Sequence, residues 1–115
     1  MNAYIKFLEE TISEVQKEEQ ALITAARKDE ANFAKIKINI CDVCRTIYNV
    51  HAKTKAGAEL TSEYVRQLTR LKENWKMSLE KAKEHEDVQK VVIEETKLEM
   101  LQQIESKYEE LGACE

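Results

Sequence analysis

Cys41 and Cys44 form the one motif-like string in the chain, Cys-Asp-Val-Cys, and two thiolates at that spacing can close on one side of a zinc ion. A structural zinc needs two more ligands. The nearest histidine, His51, stands seven residues beyond Cys44, about two helical turns away, and His85 is far along the chain. Cys41, Cys44 and His51 are therefore weak candidates for a metal site that only a second subunit could complete. A thioredoxin-type redox pair opens a helix after a strand. This pair lies between Ile40 and Ile47 in a helical pattern. The expectation is two partly buried structural thiols, with no metal and no cofactor.

The carboxylates carry no catalytic pattern either. A di-iron bundle places Glu three residues before His, where this chain has Tyr48 and Ala82. The zinc-protease pattern HExxH is missing, Gly57 is too isolated for a phosphate-binding loop, and no serine sits in a nucleophile elbow. The expected class is non-enzymatic.

Charge offers a different chemistry. Residues 35–83 carry 11 Lys and Arg against 5 Asp and Glu, while residues 1–34 carry 4 against 7 and residues 84–115 carry 3 against 10. A basic middle is thus flanked by acidic ends, with a formal net charge of −4. Lys53, Lys55, Arg66, Arg70, Lys72 and Lys76 are the residues that could grip an anion or nucleic acid, and Tyr64 and Trp75 could stack on bases beside them. The plainer reading is that the acidic ends pair with the basic middle, within one folded-over chain or between two chains.

Apolar spacing defines the elements that carry these residues. Ile5, Leu8, Ile12, Val15, Leu22, Ala26, Phe33, Ile36, Ile40, Val43, Ile47 and Val50 fall in one heptad frame, which predicts a single long helix. Tyr64, Leu68, Leu71, Trp75, Leu79, Ile93, Met100, Ile104 and Tyr108 continue at a spacing near 3.6. Between them lies Gly57, the sole glycine of the interior in a chain without proline. It can take the left-handed conformation at a corner, with Thr61 or Ser62 capping the next helix. The expected fold is all-α. It is one domain over 1–115, a long antiparallel hairpin with helices at roughly 2–53 and 61–111 and a corner at about 53–61. The alternative is a compact four-helix bundle, because Arg27–Glu30 and Lys83–Asp87 turn polar at the same height and could be extra turns near 28–30 and 85–87.

A lone hairpin cannot cover Val88, Val91, Val92, Leu98 and Leu101, which point partly away from the seam. Burying each such side chain contributes about 1.5–3 kcal/mol. These five are therefore the expected subunit interface, and a four-helix homodimer is the expected assembly. No run approaches a membrane span, and the N-terminus lacks the apolar core of a signal peptide. The odd cysteine count suits reduced thiols, so a cytoplasmic location is expected. The sequence points to an interaction or assembly module with a protein partner, with anion or nucleic-acid binding second and thiol or metal chemistry third.

Overall fold

The computed structural model describes residues 3–112. Residue 2, where the first helix is expected to begin, and Cys114 lie outside the described residues. Four helices follow one another: α1 (Ala3–Thr24), α2 (Lys28–Ala52), α3 (Gly57–Glu84) and α4 (Val88–Lys107), the last ending in a π-helical turn over Tyr108–Gly112. The fold is all-α, and it takes the four-helix form. The long helices expected at 2–53 and 61–111 are each interrupted, over 25–27 and 85–87. The radius of gyration is 15.4 Å, with extents of 43 × 35 × 21 Å. That is a flattened bundle, well short of the roughly 75 Å rod that an unbroken helix of about 50 residues would make.

Both interruptions are the same device. At the first, the Arg27 N–H donates to Leu22 C=O and the Ala26 N–H to Ile23 C=O; at the second, Asp87 donates to Ala82 and Glu86 to Lys83. These paired bonds close a helix C-terminus around one left-handed residue. Ala26 has φ +60° and Glu86 φ +54°, in a conformation that usually selects glycine because Cβ crowds the following carbonyl. The stops are hidden in the sequence because alanine and glutamate occupy them. Ala26→Gly and Glu86→Gly should therefore each stabilise the protein, by about 1 kcal/mol. Midpoints of urea unfolding check this, and a loss of stability in both variants would contradict the left-handed assignment.

Gly57 is left-handed as expected, with φ +58°, but it opens α3 rather than closing α2. The corner shrinks to residues 53–56. Thr61 and Ser62 lie inside α3, so neither caps it, and the Thr61 hydroxyl instead bonds that of Tyr108 at 2.8 Å.

The two hairpins, α1–α2 and α3–α4, are copies of one unit offset by 60 residues. The turns match bond for bond, and the buried positions 4, 8, 34, 40, 41, 44 and 48 recur at 64, 68, 94, 100, 101, 104 and 108. Contacts between the copies are reciprocal. Tyr4 meets Tyr108 at a ring separation of 4.8 Å, while Tyr64 meets Tyr48 at 5.1 Å. Residue i of one hairpin thus touches j of the other, and j touches i, as across a two-fold axis. α1 packs chiefly on α2 and α3 on α4, with α2 and α4 meeting across the axis. The seam residues of the expected long hairpin, among them Leu8, Ile40, Leu71, Trp75 and Ile104, join one core. The principal partner of α1 is α2, however, because the chain turns back at Ala26.

Candidate functional site

One end of the axis is closed by tyrosine. The four tyrosines Tyr4, Tyr48, Tyr64 and Tyr108 pack edge to face with centroids 4.8–6.4 Å apart. Such pairs contribute about 0.5–1.5 kcal/mol beyond area burial. The Tyr64 hydroxyl donates to the Cys44 carbonyl at 3.1 Å, so it accepts from Tyr4, its other partner. Burial pushes both phenols above their ordinary range.

Cys41 and Cys44 belong to this same core and are fully buried. Burial pushes the Cys41 thiol up to about 11 and the Cys44 thiol up to about 12. A thiol held this far from its thiolate is a poor nucleophile and a poor metal ligand. The equivalent positions in the second hairpin are Leu101 and Ile104, so the cysteines fill apolar sites. His51 sits half-buried at the end of α2. Among the described residues no three His, Cys, Asp or Glu side chains are grouped to hold a metal ion.

The basic residues do not gather into one patch. Lys72 pairs with Glu105 at 2.9 Å, and Arg66 pairs with Glu63 at 3.3 Å. Lys53, Arg70 and Lys76 are exposed and Lys55 is half-buried. Arg66 and Arg70 share a face of α3, but Lys76 lies about 120° round the helix from Arg70 at 100° per residue. Tyr64 is buried in the core, and Trp75 packs against that core with the Lys97 ammonium 5.7 Å from its ring centroid. Lys35–Glu19, Arg45–Glu9 and Lys72–Glu105 join the basic middle to the acidic ends within one chain. The charge layout thereby serves the folded-over bundle.

One buried polar group breaks the symmetry. Glu94 is 4% exposed, where the first hairpin has Ala34. Its Oε1 accepts from Lys97 Nζ at 3.1 Å, and its Oε2 has no hydrogen-bond partner. It does not line the groove at the far end of the bundle.

That groove, opposite the tyrosines, lies where α2 and α4 begin. It has a volume of about 430 Å³ and an apolar floor and wall of Phe33, Ile36, Val88, Val92 and Ile93, with Asp29, Asn32 and Gln89 also lining it. Val88 is 74% exposed and Val92 39%. Of the five residues expected at an interface, Val88 and Val92 are the exposed ones, and Val91 and Leu98 are half-buried. Leu101 corrects the expectation: it is fully buried inside the bundle, because folding α3–α4 onto α1–α2 turns its face inward. Phe33, Ile36 and Ile93, read from the sequence as seam residues, are the additional members that the turns bring to the groove.

The fold and its groove define a class: an all-α bundle of two pseudo-symmetric hairpins with an apolar cleft on the axis. None of its described helices is long and apolar enough to cross a membrane. The chain matches no family model, no curated protein and no solved structure.

Proposed function

We propose that the protein is a non-enzymatic interaction module that docks an apolar protein surface into the groove between the starts of α2 and α4. The observation that carries this reading is the pairing of a concave apolar cleft with an exposed valine at its edge. Apolar anchors seated in such clefts supply most of the affinity at protein interfaces. The cysteines support a reducing, cytoplasmic setting, since both are free thiols that serve as core residues.

A photo-crosslinking amino acid at position 92, set against the same residue at position 70 on the outer face of α3, tests this in cells. A discrete protein adduct from position 92 that is absent from position 70 and disappears with Val88→Asp is the expected result. Equal, diffuse labelling from both positions would overturn the reading.

A further inference from the structure

We infer that two copies of the chain open both turns and exchange helices, each becoming a long two-helix hairpin whose α1 and α4 pack on α2 and α3 of the other copy. The inference goes beyond the groove reading and does not draw on it.

The two turns are held against their own sequence. Ala26 and Glu86 stand at φ +60° and +54°, a conformation with a steric cost for any residue that carries a Cβ. Neither 24–30 nor 84–90 contains glycine or proline, so no residue in either segment breaks a straight helix. Ala25 and Ala26 are of the type that most favours helix, and the apolar frame from Ile5 to Val50 passes through position 26 unbroken. The Arg27–Glu30 ion pair has the i,i+3 spacing that a continuous helix keeps. Arg27, at the start of α2, makes no side-chain cap. Asp87 does cap α4, accepting from the Lys90 N–H at 3.1 Å, and straightening the second turn loses that bond. The backbone bonds that close each turn give way to ordinary helical ones.

A chain that straightened alone would lose its core, because α1 would leave α2 and α4 would leave α3. A second chain opened in the same way restores these contacts: α1 of each copy takes the place of α1 on the α2 of the other, and α4 likewise on α3. Exchange of identical elements needs no new surface, and short hinges under strain favour it. Both turns lie at one end of the bundle, where the starts of α2 and α4 line a common cleft. Opening one alone would leave the other standing between the two halves, whereas with both open the long helices run through the midpoint. The tyrosine cluster then reassembles from two chains, Tyr4 and Tyr108 from one with Tyr48 and Tyr64 from the other. The exchanged dimer keeps the core of the closed monomer and sheds its left-handed residues.

Isotopically heavy and light chains, mixed and refolded together from urea at about 1 mM, where concentration favours association, test the exchange. Size exclusion is expected to separate a dimer whose helicity per residue matches that of the monomer. Carbodiimide then joins Lys35 to Glu19 across the first turn and Lys72 to Glu105 across the second, pairs that stand 3.8 and 2.9 Å apart. In the exchanged dimer both links connect two chains, so linked peptides carrying one heavy and one light member appear at both positions. Lys28→Pro should lower dimer affinity about a hundredfold or more, because proline suits the first residue of a helix but not the interior of a continuous one. Arg27, at φ −98° and ψ 67°, is already outside the helical region that a following proline disfavours. Ala26→Gly should act in the same direction, about tenfold or more, by easing the turn and weakening the straight helix. Links of a single label at both positions would reveal copies packed side by side and overturn the exchange. Mixed links at the first turn alone would overturn the joint opening of both. A chain that stays monomeric after this refolding, or a dimer undiminished by Lys28→Pro, would also overturn the inference. Lys28→Pro keeps the closed bundle, so a position-92 adduct from that variant reports on the groove separately.

Discussion

Tyr64→Ala is expected to destabilise the protein by about 3–5 kcal/mol, the range for removing a large buried aromatic side chain. Tyr64 has no exposed surface and touches the rings of Tyr4, Tyr48 and Tyr108 at 5.7, 5.1 and 5.0 Å. Its loss opens a cavity where both hairpins converge and removes the hydrogen bond between the Tyr4 and Tyr64 hydroxyls. Against the roughly 5–15 kcal/mol that holds an ordinary domain together, that is a large fraction. Tyr64→Phe separates the two effects: it keeps the ring and removes the hydroxyl, and should cost about 1–3 kcal/mol for the two hydrogen bonds lost, to the Tyr4 hydroxyl and to the Cys44 carbonyl. Urea unfolding followed by helical ellipticity measures both. Should Tyr64→Ala lose less than about 1 kcal/mol, the tyrosines would not be the joint between the hairpins.

The same cluster shows what the sequence could and could not disclose. Leu8, Ile40, Tyr64, Leu68 and Ile104 all fall on the apolar stripes read from spacing, and all are buried, whereas Tyr4, equally buried, stands one residue before the first stripe at Ile5. Helical content and most of the core were therefore legible. The turns were not. A left-handed helix stop is normally betrayed by glycine, and here Ala26 and Glu86 take that conformation with the heptad frame passing through the first of them. The duplication was hidden too, since Tyr4, Leu8, Lys37 and Tyr48 are the residues that recur unchanged 60 positions on. Two tyrosines repeated at that interval were the available signal. Val88 and Val92 stand out as surplus apolar surface by counting what one seam can bury, whereas Phe33 and Ile93 reach the groove only because the turns bring the starts of α2 and α4 together.

Alkaline unfolding is the second large effect expected. Cys41 and Cys44 are neutral in the core, with the thiols raised from 9.0 to about 11 and about 12, and Tyr4 and Tyr64 are raised above 10.0. A group whose folded value lies above its unfolded one contributes stability that is complete below the unfolded value and is lost as pH rises toward the folded one. Stability should therefore hold level below about pH 9. Between about 9 and 10 the unfolded chain releases the two thiol protons while the folded chain keeps them, giving a slope near 3 kcal/mol per pH unit at about 1.4 kcal/mol per proton. Above about pH 10 the two phenols join, and the slope steepens toward 5 kcal/mol per unit until the thiols begin to ionise in the folded state. A domain of ordinary stability would be unfolded by about pH 11. Cys41→Val/Cys44→Val introduces apolar residues of the kind found at the equivalent Leu101 and Ile104. It should delay the decline to about pH 10 and leave the steeper tyrosine-driven fall reduced but present. Unfolding midpoints taken every half unit from pH 7 to 11 resolve the two segments. A wild-type profile that stays flat to pH 10.5 would show that neither the thiols nor the phenols are held neutral by burial.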